Sequence, residues 1–226
     1  MRKFDEIYAI SAERKGGAEA LEALITPPMP LDDLARIPDD RWLSMMAKCL
    51  FQAGFHWKVI EAKWPGFETA FEGFNPARVS FYGDEEIDRL VSDTAIVRNG
   101  AKIMAVVENA RFLVDLAAEH GSAAKFFADW PADDFIGLMD VLAKRGSRLG
   151  GATGQRALRW MRKESFILSQ DVVARLIAED VVAKAPTSKR DLAAVQAAFN
   201  TWRGQSGRSL TEISRVLSMS VGAGPA

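Results

Sequence analysis

Apolar residues recur at three- and four-residue spacing along most of the chain, and that period predicts helices. The strongest stripe is Ile103, Val106, Val107, Ala110, Phe112, Leu113 and Leu116, a long helix preceded by Gly100 and closed near Gly121. Trp42, Met45, Met46, Cys49 and Leu50 trace another, with Asp39 or Asp40 as its cap and Gly54 as its end. Phe55 to Lys63 forms an amphipathic segment that is expected to stop at Trp64-Pro65-Gly66, because proline lacks a backbone donor. Upstream, residues 3 to 24 read as a helix with a weak point at Gly16-Gly17, ended by the proline cluster from Pro27 to Pro30. Asn75-Pro76 and Gly83-Asp84 open short helices, and Pro131 opens one through Phe135, Leu138, Met139 and Leu142 to Gly146. A turn at Leu149-Gly150-Gly151-Ala152-Thr153-Gly154 joins two helices, with further helices at 188 to 203 and 208 to 218. No run alternates apolar and polar residues between turn signals, so the fold class expected is all-α. The domain reading is one compact unit over residues 1–220, with lobes at 40–145 and at 1–39 plus 146–220, and a flexible tail at 221–226.

Composition narrows this picture only where it excludes something. With 226 residues and 48% hydrophobic content, the chain can bury a substantial core and is unlike a disordered chain. No stretch approaches the roughly 20 apolar residues that span a bilayer, and the N-terminus turns acidic before any apolar run. The single cysteine, Cys49, excludes an intramolecular disulfide and fits a reducing compartment, so the expected location is cytoplasmic, without membrane association. A net charge of −1 excludes bulk electrostatic coating of nucleic acid, so any such binding must come from a local patch.

Such a patch is visible. Residues 144 to 163 carry Lys144, Arg145, Arg148, Arg156, Arg159, Arg162 and Lys163 and no acidic residue. Arg156, Arg159 and Arg162 share one broad helix face, expected to face solvent. Gly150, Gly151 and Gly154 beside them permit close approach of a phosphate, and Thr153 lies in the same turn, where amides at a helix start favour an anion. The plainer reading is a solvated basic helix after an ordinary glycine turn. Coincidence of turn and charge favours DNA contact. A second cluster is Cys49, Gln52, Phe55, His56 and Trp57 around Ala53-Gly54. An extruded base is held by stacking and by hydrogen bonds to its edge, for which Trp57 and Gln52 are suited; composition alone favours a core tryptophan instead.

Several spaced motifs occur in order: Gln52-Ala53-Gly54 with Trp57, Phe71 to Phe74-Asn75-Pro76, Ile87 to Val91, Ile96-Val97-Arg98 with Lys102-Ile103, and Asn109-Ala110-Arg111. From Trp42 to Leu116 the chain resembles the DNA-3-methyladenine glycosylase I family of the helix-hairpin-helix superfamily, and a weaker match resumes at Lys144-Arg145-Gly146 and runs through Gly151 to Thr153. The resemblance implies a helical array with a cleft between two helical lobes. It implies hydrolysis of the N-glycosidic bond of alkylated purines such as 3-methyladenine in double-stranded DNA, by a monomer without cofactor or obligate protein partner. Trp57 would stack on the base, Cys49, Gln52 and Phe55 would line its pocket, and Arg148, Gly150, Gly151, Thr153, Gly154, Arg156 and Arg159 would hold DNA.

The chain departs from the family at two places. An acidic residue stands three positions before the family's glutamine, where this chain has Cys49, and a neutral thiol is a poor acceptor for a cationic base. The family also ties its termini with zinc on two cysteines and two histidines; one cysteine with His56 and His120 cannot supply that set, and no metal is expected. Asp171 falls where other branches of the superfamily carry a catalytic aspartate, and equally suits the first turn of a helix as a partner of the helix dipole. The competing readings are a non-catalytic DNA-lesion binder of the same fold and a helical protein-interaction module with a basic face.

Overall fold

The computed structural model describes residues 1–222, so the expected tail lies, from residue 223 onward, outside the described residues. Among the described residues there are only helices, turns and extended connections: α1 (Phe4–Lys15), α2 (Ala18–Glu22), α3 (Leu31–Leu34), α4 (Asp39–Gln52), α5 (Trp57–Ala70), α6 (Pro76–Val79), α7 (Asp84–Ser92), α8 (Gly100–His120), α9 (Ala123–Asp129), α10 (Phe135–Arg145), α11 (Gly151–Trp160), α12 (Gln170–Ala178), α13 (Lys189–Ser206) and α14 (Leu210–Met219), with 3-10 turns at Glu72–Phe74 and Ala132–Asp134. They divide into two compact units, each discontinuous in sequence. The larger holds Pro30–Trp130 and Leu138–Lys163; the smaller holds Met1–Met29, Pro131–Gly137 and the chain from Glu164 onward.

The larger unit is built on α8, whose Ile103, Val106, Ala110, Leu113 and Leu116 are fully buried and which packs against α4, α6, α7 and α9. Each of the larger side chains, Ile103, Val106, Leu113 and Leu116, contributes about 1.5–3 kcal/mol by leaving water. Polar groups then fix where the neighbouring helices start. Asn99 and Asn75 cap α8 and α6 by accepting the amides of Lys102 and Ala77.

Two local expectations are corrected. Asp39 does not cap its own helix: α4 begins at Asp39 itself, behind Pro38, with no side-chain cap. Its carboxylate instead accepts the amides of Ala123 and Ala124 at 3.1 and 3.0 Å, serving the positive end of α9. Nor does α5 stop at Trp64-Pro65-Gly66; it runs through Pro65 to Ala70. Interior proline costs about 3 kcal/mol, but the turn beyond it buries Phe67, Ala70 and Phe71, and Trp64 stacks on Phe67 and Phe74 at 5.1 and 5.4 Å. Burial across the proline outweighs the lost ladder bond. Glu68 then clamps α5 to α4, accepting from both Arg41 guanidinium nitrogens (3.0 and 3.1 Å), Ser44 Oγ (2.7 Å) and Trp64 Nε1 (3.1 Å).

The smaller unit has its own core, an aromatic chain from Phe135 to Phe166 (4.7 Å), Phe199 (4.2 Å) and Trp202 (5.8 Å). The extended segment before α12 is stitched to α14, with the amides of Ser165 and Ile167 donating to Thr211 Oγ1 and Ser214 Oγ. Buried Glu179 accepts from the Arg2 amide and guanidinium at 2.7 Å each and from Arg175 at 3.1 Å, which ties the N-terminus down.

Candidate functional site

The junction between α4 and α5 is the first half of the site, and the sequence makes it a place where backbone and side chains part company. Cys49 and Gln52 sit one turn apart at the end of α4, on the same side of the helix. The α4 C-terminus, with its unsatisfied carbonyls, is closed by Lys102 of α8, whose Nζ donates to Phe51 O at 3.1 Å and Ala53 O at 2.6 Å. Burial pulls the Lys102 ammonium below its ordinary pKa, and the like charge of Arg148 adds to the shift. The same Nζ lies 4.6 Å from the Phe55 ring centroid, so one cation fixes both the helix end and the turn after it.

Beyond that turn, Trp57 opens α5 with 57% of its surface exposed, and Phe55 is 43% exposed. Trp42 contrasts with both: it is buried and stacks on Phe127 at 4.3 Å. His56 is exposed and leaves α5 without a side-chain cap. Gln52 is 6% exposed. Its Nε2 donates to Glu61 Oε1 at 3.1 Å, and Glu61 also accepts from Lys48 at 3.1 Å. Its Oε1 is buried and has no hydrogen-bond partner among the described residues, a condition shared there only with Trp42 Nε1. A buried acceptor without a donor costs about 1–3 kcal/mol. Cys49 is fully buried, and burial pushes its thiol up to about 12, with Arg156 and Lys48 pulling weakly the other way. It is a neutral thiol at physiological pH.

The second half is the α10-to-α11 hairpin. Asn109 of α8, itself fully buried, grips the turn from below: its Nδ2 donates to Ser147 O at 3.0 Å and its Oδ1 accepts the Ser147 amide at 2.7 Å. Gly154 is buried, and a Cβ there would sit 2.1 Å from Leu149 O, so its missing side chain lets α11 close on its own turn. Gly150 precedes α11 without a side-chain cap, leaving the amides of the first turn, at Gly151, Ala152 and Thr153, open to an anion. Arg148 holds a left-handed conformation, φ 56°, at the crest of the turn, and Gly151 has φ 57°.

The basic segment is narrower than its sequence. Lys144 pairs with Asp140 at 2.5 Å, and Arg145 makes a two-pronged bridge to Glu119 at 2.7 and 2.8 Å. Lys163 is 2% exposed and donates to Trp130 O at 2.7 Å. The expected stripe ends at Arg159, because α11 stops at Trp160 and Arg162 lies beyond it with φ 62°. Arg156 and Arg159 are half-buried rather than solvent-facing. Arg148 and Arg156 remain without a carboxylate partner among the described residues.

The two halves are neighbours, because α11 packs on α4. Arg156 is close enough to act on Cys49 electrostatically, and Arg148 on Lys102. Asp171 belongs to the smaller unit, as an exposed carboxylate in the first turn of α12, a helix whose cap is Ser169. Among the described residues no group of three or more His, Cys, Asp or Glu is placed to hold a metal ion, and no helix is long and apolar enough to cross a membrane.

Sequence reasoning passed over Lys102, Asn109 and Glu61 as site residues. Lys102 and Asn109 lie within the motifs quoted above, and Glu61 is one helical turn after Trp57, but the contacts that give them roles cross 9 to 51 positions of chain.

Comparison with known proteins bears on the larger unit. The sequence profile of the methyladenine glycosylase family matches residues 36–136. The DNA-3-methyladenine glycosylase 1 of Escherichia coli is 37% identical over 60 residues, which are 26% of this chain and 32% of that protein. The match therefore spans about a third of the length of the curated relative. A crystal structure of a 3-methyladenine DNA glycosylase I is 25% identical with a TM-score of 0.48, covering 61% of this chain and 80% of the other. A structure of the Staphylococcus aureus 3-methyladenine DNA glycosylase I is 23% identical with a TM-score of 0.49, covering 60% and 78%. The stretch similar to the methyladenine glycosylase family, residues 36–136, includes the α4-to-α5 junction and all of α8.

Proposed function

We propose that the protein is a DNA base-excision repair glycosylase that hydrolyses the N-glycosidic bond of alkylated purines such as 3-methyladenine. The observation that carries the reading is the packing of α11 on α4, which sets the cationic hairpin beside the exposed Trp57 junction. The similarity of residues 36–136 to the methyladenine glycosylase family supports it. In this reading Arg148, Arg156, Arg159 and the amides around Gly150, Gly151, Thr153 and Gly154 engage one phosphate strand of duplex DNA. Trp57 and Phe55 stack on the extruded base, and Gln52 meets its edge beside Cys49.

An alkylated purine carries positive charge, so it is a good leaving group. As the C1′–N bond breaks, both electrons pass to the base, which departs neutral, and the sugar gains oxocarbenium character until water adds at C1′ and releases a proton. Asp171 is assigned the role of stabilising that sugar cation or orienting the water. The Cys49 thiol, held protonated, contributes shape rather than charge.

The experiment is single-turnover release of bases from methylated duplex DNA by purified protein. Release of 3-methyladenine, slowed about 100-fold by Asp171→Asn while duplex affinity holds, is the expected result. Binding to damaged duplex without any base release overturns it.

A further inference from the structure

The junction holds the carboxylate of Glu61 and, on Gln52, a buried acceptor that has no hydrogen-bond partner among the described residues. Glu61 follows Trp57 by one helical turn on α5 and so stands on the same side of that helix. Its carboxylate is acceptor-only and takes hydrogen bonds from Gln52 Nε2 and Lys48 Nζ, each at 3.1 Å. A glutamine amide has a donor end and an acceptor end that are nearly the same in shape. Turned over, Gln52 would place its carbonyl oxygen against the Glu61 carboxylate, lone pair to lone pair. The carboxylate therefore locks the amide with its NH2 toward α5 and its Oε1 away from it. That Oε1 is the atom left buried without a donor, on a side chain only 6% exposed.

We propose that Glu61 is a positioning residue that fixes the hydrogen-bonding polarity of Gln52, so that the junction accepts a purine presenting an N–H donor, such as a 6-amino group, and rejects the corresponding 6-oxo base. The proposal rests on the glycosylase reading above and gives it a substrate preference. Three physical features support it. Gln52 Oε1 is already shielded from water, so a donor that reaches it displaces no solvent from the acceptor. The hydrogen bond from Nε2 to an anion polarises the amide and strengthens Oε1 as an acceptor. Negative charge on Glu61, 3.1 Å from the Gln52 amide nitrogen, favours a positively charged alkylated base in a junction where Cys49 supplies no charge.

The test compares binding of free 3-methyladenine and free 3-methylhypoxanthine, which differ in the 6-amino and 6-oxo groups, by calorimetry on the full-length wild-type protein and on Glu61→Leu and Glu61→Gln. Glu61 is itself exposed, so Glu61→Gln, which keeps a hydrogen-bonding partner for Gln52, should leave the melting temperature near that of wild type, while Glu61→Leu should lower it modestly by unpairing the buried Gln52 Nε2. Wild type is expected to prefer 3-methyladenine by about tenfold or more, as befits a site that leaves a polar group unpaired against the wrong base. Both variants release the amide to turn over, and the preference should fall to about threefold or less. An unchanged ratio in both variants, or a wild type that binds the two bases equally, overturns the role of Glu61 while leaving base binding intact. A wild type that binds neither base and releases none from methylated DNA overturns the glycosylase reading, and the role of Glu61 with it.

Discussion

Two turns of the larger unit invite comparison: 53–56 between α4 and α5, and 146–150 between α10 and α11. Both are short helix-to-helix connections, and both are held from α8, one by Lys102 and the other by Asn109. Their chemistry is opposite. The first carries exposed rings, Phe55 and Trp57, just after a helix end that holds a buried neutral thiol and a buried amide oxygen. The second presents a bare helix start and Arg148, with Arg156 on the helix that follows. One suits a flat ring taken out of water and the other suits an anion left in it. The lesson is that a chain of net charge −1 can still concentrate positive charge locally, with Arg148 at one turn and Arg156 on the helix that follows it.

The contrast can be broken most forcefully at the cationic turn. Arg148→Gln with Arg156→Gln is expected to weaken duplex binding about 30-fold or more and to flatten its salt dependence; anisotropy titrations at several salt concentrations measure both. Undiminished binding would show that the hairpin is not the grip. Next in size is Asn109→Ala, which leaves the backbone donor and acceptor of Ser147 unpaired and should cost about 2–4 kcal/mol in urea unfolding. It should loosen duplex binding more than free-base binding, since it undoes one turn and not the other.

Cys49 offers a smaller and pH-dependent effect. Burial raises its pKa from 9.0 to about 12, so the unfolded chain loses the thiol proton first. The contribution to stability is complete below pH 9 and declines as pH climbs toward 12. Between pH 8 and pH 10 the fall should be about 1 kcal/mol, and Cys49→Ala should lack it; parallel denaturation curves at the two pH values decide. Smallest is the stability cost of Trp57→Ala. An exposed side chain at a helix start should give less than about 0.5 kcal/mol, while base release in single-turnover assays should fall by tenfold or more through loss of stacking. Loss of stability comparable to that of a core tryptophan would place Trp57 in the scaffold rather than the slot.

What the sequence disclosed depended on how far each determinant reached along the chain. The α8 stripe, the Asn75 cap and the hairpin were legible because helical periodicity and capping act over three or four residues. Pro65 misled because the burial that carries α5 through it comes from Phe67, Phe71 and Phe74 packing in three dimensions. Asp39 misled because its amide partners lie 84 and 85 residues away. Charge shows the same division: the pairing of Lys144 with Asp140 follows from their spacing, whereas Glu119, 26 residues upstream, removes Arg145 and only the fold reveals it. For the tryptophans, Trp42 and Trp57 look alike in the chain, and only packing separates a core ring from an open one.

Lys102 and Asn109 stand seven positions apart on α8, close to two full turns, so their side chains leave the helix in nearly the same direction. At 1.5 Å per residue the offset between them is about 10 Å. The helix is thus a ruler with two marks, and the spacing between the aromatic turn and the basic turn is engraved in it rather than left to the loops. An inserted or deleted residue between the marks would swing one anchor by about 100° around the axis. Length drift at this one place is something such a scaffold cannot absorb, however freely its outer turns change.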